Sequence, residues 1–446
     1  MNLPGIDKKL TVCCYVAPHA SRRSLECIDQ LLTLPSVGKT WDLIFGIDAP
    51  PYDVKYLTAQ EHRRSKKAVF MESSEARGKA HWQRVMLANI RSEYVLLIDD
   101  SLTPSPHCIE SIFTFLRENP EVEIAGFKHS SGSPVGNDGE PRLPIPKAGP
   151  LLIKTATFRE FEELPAEQAQ AIAQRLTFFD FSIAAELGMS PDNLGPMTVR
   201  ELFLEVPDNA RERSIQDSKP LISAAICAYG HHPELILRCV DSIIREPFLG
   251  NSVEIILGCN QVSDEVMHEL ERRMTNHPFG AIIRSPLNFN KSGMQRFMYR
   301  MARGPYILSL DDDMYFKPGW LHFLKEQILK SHPFEVAGRL HALSNRKWWS
   351  GKKKPYDSFC EKKHWWRGKR PFGLEVVFPA GQCFLARTDF LLQNNYPDLD
   401  MRIDWDDVLL GDMVTQLDGS QIWFEGPVME RVIVDDIPSR GQHGGG

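Results

Sequence analysis

Ser309-Leu310-Asp311-Asp312-Asp313-Met314-Tyr315-Phe316-Lys317-Pro318-Gly319-Trp320 decides how the chain is read. Tyr306, Ile307 and Leu308 lead into it, three carboxylates follow without a break, and Pro318-Gly319 opens the amphipathic run from Leu321 to Ile328. That order predicts a buried strand, an acidic turn and a helix. Carboxylates crowded at the end of a buried strand repel each other unless a cation sits among them. Hard oxygen ligands of this kind suit Mg²⁺ or Mn²⁺ carrying a polyphosphate. Taken alone, the run also fits a solvated acidic turn, so its neighbours have to decide.

The 446 residues are enough for two or three domains with full-sized cores. A net charge of −6 gives no global attraction to nucleic acid or to an anionic membrane. The nine cysteines are scattered without a Cys-x-x-Cys pair, and Cys13, Cys14, Cys227 and Cys383 lie inside apolar runs. Reduced thiols and a cytoplasmic location are expected. The opening residues Met1 to Lys9 carry no apolar signal core, and no apolar run reaches the length of a membrane span.

Outward from the acidic turn, the chain repeats itself at a spacing of 212. Cys27 and Asp29 recur as Cys239 and Asp241, Ile44 and Gly46 as Ile256 and Gly258, and Lys79, Arg84 and Met86 as Lys291, Arg296 and Met298. Tyr94, Leu96, Asp99, Asp100 and Pro106 recur as Tyr306, Leu308, Asp311, Asp312 and Pro318. An ungapped register of this length reads as a tandem duplication. Residues 1–206 form the first copy, the polar stretch 207–220 a linker, and 221–446 the second copy. In the second copy, strands are expected at Leu221–Tyr229, Val253–Leu257, Ala281–Ile283 and Tyr306–Leu310. Helices are expected at Pro233–Ile244, Glu265–Met274 and Ser292–Ala302. Alternating short strands and helices imply an α/β fold with a mostly parallel sheet in each copy, and ligands held beyond the carboxyl ends of the strands.

Five segments of the second copy, in order, resemble a glycosyltransferase of the GT-A fold, close to the family-2 type. They are ISAAICAYG (222–230), the NFNKSGMQR helix start (288–296), the Asp311-Asp312-Asp313 turn, FPAGQCFLARTDFL (378–391) and IDWDDVLLGDM (403–413). The resemblance implies two tandem GT-A domains and an inverting transfer from a nucleotide sugar, a UDP-sugar above all. Tyr229, Asn260, Lys291, Arg296, Asp311 and Asp312 would line the donor site, with Asp311, Asp313 and His443 around Mn²⁺ or Mg²⁺. Asp407, with Asp406, would be the base that takes the proton of the acceptor hydroxyl. The same two carboxylates also suit a plain helix N-terminus. Gly381 and Trp405 are candidates for the acceptor side, and Trp405 equally for simple packing.

The first copy has lost part of this set. Ser101 stands where the second copy has Asp313, and Ser182 and Ile183 stand where it has Asp406 and Asp407. It is expected to be catalytically silent. The Ala-Gly pair of the acceptor segment is offset by 232 instead of 212, so the second copy carries an insertion of about 20 residues, around 345–371. It contains Trp348, Trp349, Lys352, Lys353, Trp365, Trp366 and Arg367, with ten Lys/Arg and four Trp between 346 and 370. Cations neutralise phosphates and flat rings stack on bases, so DNA bearing a hydroxymethylated base is one acceptor this segment suits. A polysaccharide or lipid-linked glycan is the other. A nucleotidyltransferase and a non-catalytic glycan- or nucleic-acid-binding protein are the competing classes. The Asp406-Asp407 pair speaks against the first, and the intact acids of the second copy against the other.

Overall fold

The computed structural model describes residues 10–17, 22–34, 41–48, 68–73, 77–87, 90–102, 104–126, 142–146, 150–157, 176–178, 196–198, 220–229, 233–246, 249, 252–274, 277, 280–331, 333–343, 353–369, 376–398, 406–424 and 429–431. The chain divides into two compact units, one holding Asn2–Asp217 with Arg284–Leu287, the other Ser218–Ile283 with Asn288–Gly446. Of the expected linker 207–220, all but Pro220 lies outside the described residues.

The N-terminal unit runs β1 (Leu10–Val16), α1 (Arg22–Thr33), β2 (Trp41–Asp48), β3 (Ala68–Ser73), α2 (Lys79–Leu87), β4 (Tyr94–Asp99) and α3 (Cys108–Glu118). It continues with β5 (Ile124–Gly126), β6 (Arg142–Pro146), β7 (Leu151–Lys154), β8 (Leu176–Phe178) and β9 (Pro196–Thr198). Its strands stand in the order β3-β2-β1-β4-β7-β5-β8. Every residue of β1, β2, β3 and β4 is buried, as a sheet covered on both faces requires.

The C-terminal unit runs β10 (Ile222–Tyr229), α4 (Pro233–Ile244), β11 (Val253–Asn260), α5 (Asp264–Met274), β12 (Gly280–Ser285), α6 (Asn290–Met301) and β13 (Tyr306–Asp311). It continues with β14 (Met314–Phe316), α7 (Trp320–Ser331), β15 (Val336–Leu343), α8 (Lys353–Cys360), β16 (Val376–Arg387), α9 (Thr388–Gln393), α10 (Asp406–Gln416), β17 (Gln421–Trp423) and β18 (Met429–Arg431). The strand order is β12-β11-β10-β13-β16-β15-β17. Pro233 begins α4, where its missing N–H is harmless, and Leu235, Ile236, Cys239, Val240 and Ile243 give that helix its buried face. The core gathers Ile236, Cys239, Val240 and Ile243 with Leu257, Leu308, Leu310, Trp320 and Leu385.

The expected strands and helices of this unit are present, with ends moved by at most three residues. Two expectations change. Met314–Phe316 is not part of the acidic turn but a short strand paired antiparallel with Met429–Arg431. The acceptor segment, which the resemblance would make a glycine-containing loop ahead of a strand, is strand instead: Ala380 and Gly381 lie inside the long strand β16, which runs antiparallel to both β13 and β15.

The two units share internal geometry at the spacing of the repeat. Leu10 pairs with Trp41 and Tyr94, and Ile222, 212 positions on, pairs with Val253 and Tyr306, also 212 positions on. Gly78 and Asn290, again equivalent, both hold left-handed backbone, with φ of 84° and 60°. Gly46 packs against Trp82, and Gly258 packs against Met294 and Met298. A methyl group at Gly258 would lie 2.8 Å from the Met298 sulfur, which explains why glycine stands at both places. Tyr94 faces Lys154 while Tyr306 faces Arg387, so the offset across the insertion is 233, one more than the Ala-Gly pair suggests.

Candidate active site

The acidic turn closes the central strand β13 beside β10, where the sheet order changes direction and the carboxyl ends of the strands leave a crevice. Its three acids do different things. Asp312 is buried and accepts the backbone N–H of Tyr229 at 2.9 Å, which clamps the end of β10. Asp100 accepts the N–H of Ala17 at 3.3 Å in the N-terminal unit, the same contact at the same spacing. Asp312, expected on the donor side, thus also serves as a backbone clamp. Asp311 is bonded to Lys291, at 2.8 Å, and Asp313 is buried two residues on. Burial raises Asp311 above the usual carboxylate range, and the Lys291 charge works against that rise.

A polar frame stands beside the turn. Asn260, at the end of β11, accepts the N–H of Phe289 at 2.9 Å and donates to Asn288 at 2.9 Å. Asn288 donates in turn to the Tyr229 hydroxyl at 2.8 Å. These bonds hold the entry to α6, where Asn290 takes its left-handed turn. Asn288 is absent from the sequence-level set. Its signal was the Asn-x-Asn spacing ahead of Lys291.

Lys291 gathers the site. Its ammonium donates to Asp311 and, at 2.7 Å, to the carbonyl of Gly381, and it lies 3.7 Å from Asp406. Burial works against its charge, but Asp311 and Asp406 outweigh burial and hold it above the usual lysine range. Lys79 keeps the matching bond to Asp99, at 2.7 Å, in the N-terminal unit. There Ser101 donates to Asp99 through both its N–H and its hydroxyl.

Asp406 and Asp407 open α10, as the acidic motif predicted. Asp407 accepts the N–H of Val408 at 2.8 Å, and a β-carbon at Gly381 would lie 3.1 Å from its Oδ2. Burial first, then the neighbouring Asp406 charge, push Asp407 up to about 6. A carboxylate ionised just below neutral pH, at a helix head in a crevice, is suited to take a proton. Tyr396 donates to the Asp406 carbonyl at 3.1 Å and stacks on Tyr299, which ties the helix head to α6. Gly411, inside α10, packs directly on Val377 and Phe378 of β16. A glycine in a helix interior signals such an approach from sequence alone.

Residues 223–392, which span β10 to α9, match the family model described as Glycosyl transferase family 2. Residues 223–392 form a glycosyl transferase family 2 domain. The family 2 domain contains the acidic turn, Lys291 and Gly381, and it ends before α10. No curated protein sequence matches the chain. Among solved structures, S. aureus TarS 1–349 aligns with a TM-score of 0.34 and 16% identity, over 47% of this chain and 59% of that one. The same protein in complex with UDP-GlcNAc gives 0.33, 15%, 47% and 57%. The mannosyltransferase PcManGT from Pyrobaculum calidifontis, in complex with GDP-Man and Mn²⁺, gives 0.31, 14%, 40% and 56%. The chain thus spans less than two thirds of the length of these structures.

Other residues of the family 2 domain stand apart from the expected roles. Arg296 is buried and donates to the carbonyls of Asn395 and Pro397, at 3.4 and 2.9 Å, so its charge secures that turn. Trp365 is 3% exposed, hence part of the packing and not a stacking platform, and Trp366 beside it is half-buried. Lys363 pairs with Asp398 at 2.7 Å. Arg367 and Lys369 both reach Asp418, at 3.6 and 2.6 Å. Three cations of the described part of the insertion thus face carboxylates that lie outside it in sequence. The described part is also bonded to α10. Gln416 accepts the N–H groups of Arg367 and Lys369 and donates to the Lys369 carbonyl and to Asp412, which the Tyr356 hydroxyl also reaches. Trp348, Trp349, Lys352, Trp405 and His443 lie outside the described residues, and of Lys353 the structure gives only its place at the start of α8.

A divalent cation fits the chemistry of this donor set. Asp311 and Asp313 supply hard carboxylate oxygens two residues apart at a strand end, and a diphosphate would supply the rest. Among the described residues no group of three or more His, Cys, Asp or Glu could hold a metal by itself. None of the described helices is long and apolar enough to cross a membrane.

Proposed function

We propose that the chain is an inverting glycosyltransferase that moves a sugar from a nucleotide sugar, a UDP-sugar first among them, to a hydroxyl acceptor. The observation that carries this reading is the meeting, on one ammonium, of the acidic turn, β16 and the head of α10, with Asp407 resting against Gly381. In this account Asp407 takes the proton of the acceptor hydroxyl as its oxygen attacks the anomeric carbon from the face opposite the diphosphate. The bond from that carbon to the diphosphate breaks, and the diphosphate leaves with the electron pair. Mn²⁺ or Mg²⁺ held by Asp311 and Asp313 would neutralise the charge that builds on the diphosphate. Tyr229, Asn260 and Asn288 shape the donor side, and Gly381 the acceptor side.

Catalysis is assigned to the C-terminal unit, 221–446, and the N-terminal unit, 1–206, is read as a degenerate tandem GT-A copy. The shared strand registers, the Asp100 and Asp312 clamps and the Lys79 and Lys291 pairs support that reading. Nine buried free cysteines agree with a reducing, cytoplasmic location. For the acceptor, a glycan hydroxyl is favoured over a hydroxymethylated base in DNA, because Lys363, Arg367 and Lys369 already face carboxylates.

The test is a panel of UDP- and GDP-sugars with Mn²⁺ or Mg²⁺, scored for hydrolysis of the donor and then for transfer to alkyl glycosides and to hydroxymethylated DNA. Turnover that needs Asp313 and Asp407 is expected, with glycosides accepting the sugar. Turnover of no donor would remove the transferase reading. Transfer to DNA alone would reverse the choice of acceptor.

A further inference from the structure

Lys291 does more than line a donor site. The ladder between β13 and β16 stops at the pair Leu310–Cys383, so Asp311 and Gly381 both lie just beyond the last rung. On its other edge β16 pairs with β15 through Phe384 and Pro379, with a register shift between Gly338 and Leu340. Gly381 thus sits in a stretch that neither described ladder holds. Its carbonyl is taken by Lys291 instead, at 2.7 Å. The same ammonium is 2.8 Å from Asp311 and 3.7 Å from Asp406. Asp407 rests on Gly381, closely enough that a β-carbon there would lie 3.1 Å from its Oδ2.

Resting on the transferase reading above, we propose that Lys291 is the positioning residue of the transfer step. Its ammonium bridges the gap where the β13–β16 ladder ends, and by fixing Gly381 and Asp406 it fixes where Asp407 meets the acceptor hydroxyl. Two carboxylates, Asp311 and Asp406, meet on a single cation, so removing it both frees the Gly381 carbonyl and leaves like charges facing each other. A residue that merely bound the donor diphosphate would act on donor affinity. A positioning residue acts on turnover, because a misplacement of about 1 Å is enough to lower the rate roughly 10²-fold.

The experiment compares Lys291→Gln, Asp406→Asn and the double variant in the full chain. It measures kcat and KM with the nucleotide sugar that the panel selects, and the dissociation constants of UDP and GDP with Mn²⁺ by calorimetry. Lys291→Gln should lower kcat roughly 10²-fold while nucleotide affinity changes by less than about tenfold. The double variant should be no slower than the slower single variant, because both changes break one unit. Multiplicative losses in the double variant, or a loss in nucleotide affinity larger than the loss in kcat, would overturn the positioning role. Gly381→Ala covers the case in which Lys291→Gln does not fold. It leaves every charge in place and presses a methyl group on Asp407, so kcat should fall with nucleotide binding intact, and wild-type turnover would overturn the proposal. If the wild-type protein turns over no donor, the transferase reading itself fails. If it is active and the variants behave otherwise than stated, only the role of Lys291 fails.

Discussion

Replacing Gly411 by alanine tests how α10 is held. A β-carbon there would lie 2.5 Å from Cα and from Cβ of Phe378, and closer still to the Val377 carbonyl. Ordinary carbon contacts sit at about 3.5 Å, so the helix has to retreat by roughly 1 Å. Most of the atoms in the way are backbone of β16, which is paired with β15 at these two residues and has no rotamer to give. Overpacking of this type costs about 1–3 kcal/mol. The alanine returns about 1 kcal/mol of helix propensity, which leaves a net loss of about 1 kcal/mol. For a domain of this size that lowers the melting temperature by roughly 2–4 °C. The same retreat carries Asp406 and Asp407 with it, and a displacement of about 1 Å at the base lowers kcat roughly 10²-fold. The assay is thermal unfolding by circular dichroism beside turnover of the selected nucleotide sugar. A variant with unchanged melting and unchanged kcat would refute the account of how the helix is seated.

Three further outcomes are expected. Asp407 is pushed up to about 6, and a base must be ionised, so kcat/KM should fall tenfold per pH unit below about 6 and level off above it; a flat profile from pH 5 to 8 would contradict its role. A carboxyl whose pKa is raised on folding stabilises the fold at low pH and loses that contribution as pH rises through the folded value, so Asp407→Asn should melt higher than wild type at pH 8 and show no such gain at pH 4. Arg296→Met should lower stability by about 1–3 kcal/mol, since the carbonyls of Asn395 and Pro397 lose their donor, while nucleotide affinity stays at the wild-type level in a calorimetric titration.

Much of this arrangement was legible before any coordinates. The strands and helices followed from apolar periodicity, because buried parallel strands such as ISAAICAY have few other readings. The spacing of 212 was visible in the residues alone, and matched registers, clamps and glycine contacts occur at that spacing. Asp407 at a helix head was also readable, from carboxylates followed by Val408-Leu409-Leu410. Charge type misled elsewhere, because a sequence shows a charge but not its partner. Arg296 looked like a phosphate ligand and is spent on two carbonyls. The basic insertion looked like a polyanion surface, yet Asp398 and Asp418, distant in sequence, answer three of its cations. Asp312 looked equal to its neighbours, and only the backbone geometry shows that it caps β10. The convergence on Lys291 was the least legible feature. It depends on where the β13–β16 ladder stops, which no local pattern encodes.

The most direct test of the central claim is the turnover of Asp407→Asn, set beside its affinity for UDP or GDP with Mn²⁺. The account predicts that kcat falls by roughly 10²–10⁴ while nucleotide affinity stays within about threefold of wild type. Full turnover by the asparagine variant would contradict the assignment of the base, and with it the reading of α10 as the catalytic helix.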